Sequence, residues 1–236
     1  MNILEVQNIH VAYGESEVCH DVSFHVNQGE ILCILGRNGV GKTTSMKAIM
    51  GIVPATKGKI IFKGQDITRL RPYQIARLGI GYVPQGRMIF PQMTVEENLQ
   101  SGTLVLGKGV QPLPDDIFEW FPVLRDRMHQ KGGTLSGGEQ QQLAIARCMA
   151  GNPDFILLDE PSEGIQPNIV QKIREIIKQI NREKGITFIL VEQNLKFCLD
   201  CGSRGYIMET GSIQSEGDMQ TIATSPVIQQ YLTFKA

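Results

Sequence analysis

A phosphate-binding loop is predicted near the start of the chain, where residues 36–43 read GRNGVGKT. This run fits the pattern G-x-x-x-x-G-K-[ST], in which glycines let successive backbone N–H groups point at phosphate oxygens. Lys42 supplies a cation for the β- and γ-phosphates, and the Thr43 hydroxyl can bind Mg²⁺. A glycine-rich turn without nucleotide is the alternative. It is disfavoured because a buried strand precedes the loop and a helix, whose positive dipole end faces the anion, follows it.

Two adjacent acids follow an apolar run further along the chain, where residues 155–160 read FILLDE. Consecutive residues of a strand point to opposite faces, so we expect the two carboxylates to have different roles. We expect Asp159 to hold Mg²⁺, directly or through water, and Glu160 to polarise an attacking water. The alternative is a strand that ends in two solvated acids, and the phosphate loop elsewhere in the chain argues against it.

A second pair of glycines lies at a predicted helix start, where residues 135–140 read LSGGEQ. Exposed N–H groups, the Ser136 hydroxyl and a helix dipole together form another anion-binding device. The same residues also suit a plain helix N-cap on a flexible turn, and taken alone they leave both interpretations open. One polypeptide rarely needs two anion-binding motifs to hold the phosphates of one nucleotide.

The elements that must position these motifs are buried strands joined by helices. Residues 31–35, 155–158 and 187–191 are continuous apolar runs, typical of strands that are buried on both faces of a parallel sheet. Between the last two runs, residues 167–184 place isoleucines on one helical face. Pro167 suits the first turn of this helix and Gly185 follows its last turn. The succession of strand, helix and strand with short joints predicts a βαβ unit.

Two other parts of the chain have different patterns. Val22, Phe24 and Val26 alternate with polar residues, as in a half-buried strand. From about residue 89 to 149 the pattern is helical and rich in loops, with breaks at Pro112, Pro114 and Pro122. We therefore expect a helical subdomain inserted into an α/β core.

Composition disfavours several classes of protein. With 23 basic and 24 acidic residues the net charge is −1, whereas nucleic-acid-binding proteins usually have a basic surplus. No signal peptide is expected, because the first residues lack a basic segment followed by an apolar run. No window approaches the roughly 18 apolar residues that span a bilayer. The five cysteines suit small buried side chains, and the CxxC of Cys198 and Cys201 lacks the second pair of a zinc site and a thioredoxin-like context.

The phosphate loop, the acid pair and the second glycine motif, in their order along the chain, resemble those of the ATP-binding cassette (ABC) ATPases. The resemblance runs from Leu4 to about Leu232. It implies an α/β fold: a P-loop NTPase (RecA-like) core, an N-terminal antiparallel β region and an inserted helical subdomain. Residues 1–236 would form a single ABC ATPase domain, with the nucleotide-binding core in 1–88 and 151–236 and the helical signature subdomain in 89–150. In this family the signature, here residues 135–140, closes over ATP held by the phosphate loop of a second subunit.

The resemblance also assigns roles to single residues. Tyr13 is similar to the aromatic residue that stacks on adenine, and a core tyrosine at a strand end is the alternative. Gln85 resembles the glutamine that contacts Mg²⁺ and the attacking water and leads into the helical subdomain. The implied catalytic residues are Glu160, Lys42, Gln85 and Gln193, and the implied metal ligands are Thr43, Gln85 and Asp159. The implied nucleotide contacts are Tyr13, Gly36, Arg37, Asn38, Gly39, Val40, Gly41, Lys42, Thr43 and Thr44, with Ser136, Gly137, Gly138 and Glu139 closing the site.

Two positions depart from the family pattern. Residues 162–166 resemble the loop that crosses the dimer interface, called the crossing loop below, and Gln166 stands where many members have Asp. Gln193 stands where many members have a histidine against the γ-phosphate, and all four histidines of the chain lie elsewhere. Glutamine can donate a neutral hydrogen bond to phosphate but cannot carry a proton or a positive charge. The resemblance therefore does not extend to a histidine acid or base.

Short stretches narrow the family. VEQN at residues 191–194, QGR at 85–87 and FP at 90–91 are similar to ATPase subunits of branched-chain amino-acid importers. EGIQP at residues 163–167 looks more like the urea and short-chain amide branch. The expected function is an ATP-hydrolysing energy-coupling subunit of a bacterial ABC importer for urea or short-chain amides, with branched-chain amino acids as the alternative cargo.

The resemblance implies ATP and Mg²⁺ as cofactors. It implies as partners a second ABC ATPase subunit, integral-membrane permease subunits and, indirectly, a periplasmic substrate-binding protein, but no nucleic acid. The chain would be peripheral on the cytoplasmic face of the inner membrane. Apolar residues after Gln85 suit a permease-docking surface or, alternatively, subdomain core; they are Met88, Ile89, Phe90 and Met93.

Functions of other classes fit less well. A soluble ABC ATPase of DNA repair would place a long coiled coil between phosphate loop and signature, and no sustained heptads occur there. A ribosome-associated ABC protein usually carries two cassettes in one chain, and one set of motifs is present here. A nucleotide-binding structural protein without turnover is disfavoured by Glu160.

Overall fold

The computed structural model describes residues 1–225, which form two sheets and the helices that cover them. The strands, in chain order, are β1 (Asn2–Tyr13), β2 (Ser16–Asn27), β3 (Ile31–Leu35), β4 (Lys57–Phe62), β5 (Gln65–Asp66), β6 (Ile80–Val83), β7 (Phe155–Asp159), β8 (Thr187–Glu192), β9 (Arg204–Glu209) and β10 (Ser212–Asp218). The α-helices are α1 (Lys42–Ile49), α2 (Pro72–Arg77), α3 (Val95–Thr103), α4 (Ile117–Trp120), α5 (Pro122–Arg125), α6 (Gly137–Met149), α7 (Pro167–Lys184), α8 (Leu195–Cys201) and α9 (Met219–Thr224).

The larger sheet contains the three predicted buried strands. Its order is β10-β9-β3-β8-β7-β6, and all neighbours are parallel except β10, which runs antiparallel to β9. Helix α7 connects β7 to its direct neighbour β8, so the predicted βαβ unit is confirmed. The predicted P-loop NTPase core is therefore present, with β6, β9 and β10 as strands that the sequence pattern did not reveal.

The packing of β3 explains why its residues are all apolar. Ile31, Cys33 and Leu35 face a core shared with the helices α3 to α8. Leu32 and Ile34 face a second core, which lies between the two sheets and includes α1 and α2. A strand buried on both faces has no polar side, and the alternation of period two disappears.

The smaller sheet is antiparallel, with the order β2-β1-β4-β5. Val22, Phe24 and Val26 of β2 are buried, as their alternation predicts, and face the second core. This sheet is the N-terminal antiparallel β region of the predicted fold. It places Val18 and Cys19 of β2 against Gly41, in the loop between β3 and α1.

The segment from residue 89 to 150 contains α3 to α6, two short 3₁₀ turns and one isolated bridge between Thr94 and Lys131. Its buried side chains, such as Leu99, Trp120 and Leu143, pack in the same core as β3, β7 and β8. No helix among residues 1–225 is long and apolar enough to cross a membrane. The expected end of the resemblance, about Leu232, lies outside the described residues.

Candidate functional site

The phosphate loop connects β3 to α1 and packs tightly against β9. Gly41, which precedes the helix, has a φ of 105°, a left-handed value that favours glycine. A Cβ on Gly36 would lie 2.5 Å from the Met208 carbonyl oxygen, and one on Gly41 would lie 2.9 Å from the Met208 Cε. Gly36 is therefore required by its close approach to the β9 backbone and Gly41 by its left-handed backbone, and both let the N–H groups of the loop curl around an anion.

Lys42 is the first residue of α1 and is 3% exposed. Its Nζ donates hydrogen bonds to the Gly36 carbonyl (2.7 Å) and the Arg37 carbonyl (2.9 Å), and it lies 3.3 Å from Oε1 of Glu160. The ammonium is thus held across the loop by carbonyl oxygens and one carboxylate. These are the ligands that phosphate oxygens would replace.

Asp159, the last residue of β7, is 2% exposed and contacts the helix end of the phosphate loop. The Thr43 hydroxyl donates to its Oδ1 (3.0 Å), and the Tyr82 hydroxyl donates to its Oδ2 (3.1 Å). Burial raises the pKa of the Asp159 carboxyl, while these two hydrogen bonds act in the opposite direction. Burial, together with the negative charge of Asp159, likewise raises the pKa of Tyr82. Tyr82 was not predicted as a site residue.

Glu160 lies outside the strand, and this corrects the sequence argument about the two acids. It follows β7 with a φ of 50°, in the left-handed region, so strand alternation does not determine where its side chain points. Its backbone N–H donates to the Val191 carbonyl (2.8 Å), which fixes the bend. As a result both carboxylates reach the phosphate loop, Asp159 at Thr43 and Glu160 at Lys42.

Gln85, which follows β6, bridges two glutamates, Glu160 and Glu163. Its Nε2 donates to Oε2 of Glu160 (3.2 Å) and to Oε2 of Glu163 in the crossing loop (3.0 Å). Because the amide nitrogen faces the carboxylates, the amide oxygen is free to accept or to bind a cation. The side chain therefore orients Glu160 from one side while Lys42 holds it from the other.

These residues surround a cavity of about 240 Å³. Its lining comprises Val18, Asn38, Gly39, Gly41, Lys42, Thr43, Thr44, Gln85 and Glu160. All of these except Val18 were predicted as site residues. The hydroxyl of Thr43, the carboxylate of Asp159 and the amide oxygen of Gln85 are hard oxygen donors of the kind that Mg²⁺ prefers, so the donor set fits that ion.

Other predicted residues lie apart from this cavity. Tyr13 is 47% exposed at the end of β1, so it is not a core tyrosine. Gln193 follows β8, and its backbone N–H donates to Oε2 of Glu192 (3.2 Å). Neither Gln193 nor any signature residue lines the cavity.

The signature caps its own helix. Ser136 is the N-cap of α6: its hydroxyl and its N–H donate to Oε2 of Glu139, at 2.7 and 2.8 Å. Burial acts to raise the pKa of Glu139, but the hydrogen bonds from Ser136 and the charge of Arg127, 3.0 Å away, hold that pKa below its usual value. The plain N-cap interpretation is therefore correct for the single chain, and it leaves the remaining N–H groups of the first turn available.

Two further residues were missed by the sequence analysis. The carboxylate of Glu192, 2% exposed, accepts the backbone N–H of Ser162 (2.9 Å) and those of Gln193 and Asn194. Burial raises its pKa. The Arg87 guanidinium donates to Oε1 of Gln140 (3.3 Å) and to the Gly164 carbonyl (3.4 Å). For Glu192 the sequence did carry a signal, an acid that ends an otherwise apolar strand.

A phosphate loop between a buried parallel strand and a helix, faced by two carboxylates at the end of β7 in the same sheet, defines a P-loop NTPase. A family model described as ABC transporter matches residues 19–163. The chain belongs to the ABC transporter ATP-binding proteins, whose members are ATPases.

Individual relatives span nearly the whole chain. The chain is 40% identical over 228 residues to the high-affinity branched-chain amino acid transport ATP-binding protein BraG of Pseudomonas aeruginosa, covering 96% of this chain and 97% of BraG. It is 37% identical over 237 residues to the lipopolysaccharide export system ATP-binding protein LptB of Haemophilus influenzae, covering 98% and 96%. Among solved structures, the ADP conformation of MJ1267, an ATP-binding cassette of an ABC transporter, matches with a TM-score of 0.87 at 30% identity, covering 98% of this chain and 99% of MJ1267.

Proposed function

We propose that the chain is the ATP-hydrolysing energy-coupling subunit of a bacterial importer for urea or short-chain amides. The observation that carries the ATPase part is the arrangement of Lys42, Gln85 and Glu160 around one cavity. The similarity to BraG supports import, and the EGIQP stretch of the crossing loop supports the amide branch. Branched-chain amino acids are the second candidate cargo.

Nucleotide binding would begin with the exchange of ligands at Lys42. Phosphate oxygens replace the carbonyls of Gly36 and Arg37, and the N–H groups of residues 39–43 surround the β-phosphate. Tyr13, exposed at the end of β1, stacks on the adenine. Thr43, Asp159 and Gln85 would hold Mg²⁺, which would supply positive charge to the phosphates.

Glu160 would accept the proton of the attacking water as a general base. Its position depends on the bend after β7, on the Gln85 amide and on Lys42. When Lys42 turns to the phosphates, Glu160 loses a cationic partner, and its carboxylate becomes available to water. Gln193 donates a neutral hydrogen bond to the γ-phosphate in place of a charged histidine.

The signature would complete the site of a second subunit. The hydroxyl of Ser136 and the N–H groups of Gly137 and Gly138 would contact the γ-phosphate held by the partner's loop, and the N–H of Glu139 would join them once it is released from the Ser136 hydroxyl. The Glu139 carboxylate, which now accepts from Ser136, moves toward Arg127 to make room for that phosphate. Two identical or paralogous chains would then enclose two ATP molecules.

A groove of about 560 Å³ between α2, β6, α3 and α6 is the proposed docking surface for permease subunits. Met88 and Phe90 line it and are 65% and 46% exposed, while Ile89 packs inward against the core. Arg147 also lines it, with Nη2 donating to the Met88 carbonyl (2.7 Å). Docking here would place the chain on the cytoplasmic face of the membrane and connect it only indirectly to a periplasmic binding protein. Residues 89–150 would transmit closure from the ATP site to this groove.

Uptake measurements test the cargo. We expect deletion of the gene in its source organism to abolish uptake of labelled urea or acetamide at micromolar concentration and to leave leucine uptake intact. Complementation with the unsubstituted chain restores uptake, and complementation with Lys42→Ala does not. Loss of leucine uptake instead would identify the branched-chain branch, and a defect in lipopolysaccharide export with normal uptake would favour the function named for LptB.

A further inference from the structure

A buried carboxylate joins two loops of the proposed site and takes part in no step of the mechanism above. It belongs to Glu192, the last residue of β8, which is 2% exposed. Its Oε1 accepts the N–H of Ser162 (2.9 Å), in the crossing loop. Its Oε2 accepts the N–H groups of Gln193 and Asn194, both at 3.2 Å. One oxygen therefore holds the crossing loop, and the other holds residues 193–194, called the switch loop below.

Backbone contacts connect the same strand end to the rest of the site. The N–H of Gly36, the first residue of the phosphate loop, donates to the Glu192 carbonyl (3.4 Å). The N–H of Glu160 donates to the carbonyl of Val191, the preceding residue (2.8 Å). Two consecutive residues of β8 thus contact the phosphate loop, the proposed general base, the crossing loop and the switch loop.

A carboxylate is energetically unfavourable at a buried position such as 192. Removing it from water is costly unless its oxygens keep strong hydrogen-bond partners. The three N–H donors come from the two loops, so Glu192 is compensated only while both loops stay in place. An apolar residue of similar size would avoid the cost of burying a charge, but it would leave these three N–H groups without an acceptor and could not hold either loop.

We propose that Glu192 is a positioning residue that fixes the crossing loop relative to the switch loop, so that both meet the second subunit together when the chains close on ATP. This inference rests on the proposed shared site. The crossing loop carries Glu163, which contacts Gln85, and the switch loop carries Gln193. A displacement of either loop is therefore transmitted through one carboxylate to the other.

The Glu192→Gln variant distinguishes holding the two loops by hydrogen bonds from merely filling space at the end of β8. The variant keeps the size of the side chain but has one acceptor oxygen, and its NH₂ group would face a backbone N–H. One loop must then detach, with the loss of at least one charge-assisted hydrogen bond. Such a bond corresponds to about a tenfold effect on an equilibrium. The phosphate loop and Lys42 are not altered.

The test uses full-length chains that carry Glu160→Gln, which slows hydrolysis and preserves the ATP-bound dimer. Light scattering measures the dimer with Mg-ATP, and titration of dilute monomer measures ATP affinity. We expect added Glu192→Gln to weaken the dimer by about tenfold or more and to leave ATP binding by the monomer unchanged. Glu209→Gln, at the end of β9 in the same sheet, is the matched control and should change neither quantity.

A Glu192→Gln chain that dimerises as well as the Glu160→Gln parent overturns the proposal. Amide hydrogen exchange of the unsubstituted monomer is a second test that needs no variant. The amides of Ser162, Gln193 and Asn194 should exchange slowly, and free-loop exchange at all three would also overturn it. If the parent itself fails to dimerise, the shared site is wrong, and the exchange result alone decides the role of Glu192.

Discussion

The two carboxylate oxygens of Glu160 have different neighbours: the ammonium of Lys42 lies near Oε1, and the amide of Gln85 donates to Oε2. This arrangement keeps the carboxylate at the wall of the cavity, where the proposed function requires it to meet the attacking water. The role of a general base depends on charge and position together, and the two can be separated by substitution.

Glu160→Gln should lower ATP turnover by about 10²–10⁴-fold, the usual range for loss of a general base. Binding of Mg-ATP should be nearly unchanged, because the amide keeps the shape. Phosphate release and nucleotide titration measure the two quantities. Glu163→Gln is the matched control, because Glu163 accepts from the same Gln85 nitrogen but is exposed, and its turnover should fall much less. Equal losses in both variants would assign the effect to Gln85 rather than to Glu160.

The absence of a histidine at position 193 predicts a particular pH dependence. Turnover should lack an acidic limb near pH 6.5, the usual pKa of histidine. Substitution of each histidine by alanine should leave turnover within a few-fold; the four are His10, His20, His25 and His129. A single histidine variant that abolishes hydrolysis and still binds ATP would contradict the assignment of Gln193.

The sequence predicted the local part of the site and missed the part made by contacts between distant segments. Lys42 and Thr43 are adjacent in one motif, so their proximity to phosphate follows from the loop itself. Tyr82 and Glu192 contact residues far along the chain, and their roles depend on strand order. The left-handed backbone of Glu160 was also unpredictable, because a non-glycine residue rarely adopts it without tertiary support.

At the scale of elements, one ion pair ties β9 to the segment after β2. Arg204 donates from Nε to Oε1 of Glu30 (2.8 Å) and from Nη2 to Oε2 (3.2 Å), and it also donates to the Tyr206 hydroxyl (2.8 Å). Both side chains are mostly buried, at 19% and 8% exposure. Since β9 backs the phosphate loop at Gly36 and Gly41, this pair also supports the site.

Arg204→Met should lower the free energy of unfolding by about 3 kcal/mol, because it leaves the Glu30 carboxylate buried without its cation. Denaturant unfolding monitored by circular dichroism measures the change. Lys63→Met is the control. It breaks the ion pair between Lys63 and Asp154, whose side chains are 45% and 60% exposed, and should lower the free energy of unfolding by less than about 1 kcal/mol. Similar losses in both variants would show that burial does not decide the contribution of these pairs.

The exposed apolar residues after Gln85, of which Phe90 lines the proposed docking groove and Met93 lies outside it, give a second prediction at this scale. Phe90→Asp with Met93→Asp should leave ATP binding intact and abolish sedimentation of the chain with membrane vesicles from its source organism, because charges replace exposed apolar contacts. Leu199→Asp, an exposed apolar residue on α8, is the control and should still sediment. Loss of solubility or of ATP binding in the double variant would instead assign these side chains to the core of residues 89–150.

Element prediction succeeded where the pattern was strong and local. Helix α7 begins at Pro167 and ends before Gly185, as its boundary residues indicate. Strands β9 and β10 were not foreseen, because β10 is half exposed and the apolar run of β9 is limited to three residues between Gly205 and Glu209. The helices of residues 89–150 share the core of the large sheet, a relation that periodicity within one segment cannot reveal.

At the scale of the whole molecule, the chain has two separate elements that we propose bind phosphate. The phosphate loop surrounds one cavity, and the signature lies at the start of α6 outside it. In the single chain the signature is capped by Glu139, an anion from its own helix. A phosphate held by a second subunit would replace that carboxylate, so ATP should act as the link between two chains, and the free chain should be monomeric.

The most direct measurement of this shared site is the mass of the Glu160→Gln chain by light scattering with Mg-ATP and with Mg-ADP. We expect a dimer with ATP and a monomer with ADP. Added Ser136→Arg should abolish the dimer, because it fills the space that the partner's γ-phosphate needs, and should leave ATP binding intact. Thr94→Arg is the control. Thr94 caps α3 through a capping box with Glu97, as Ser136 caps α6 with Glu139, and its replacement should not affect the dimer. Dimerisation of the Ser136→Arg variant with ATP, or equal dimerisation of the Glu160→Gln parent with ADP, would contradict the shared site.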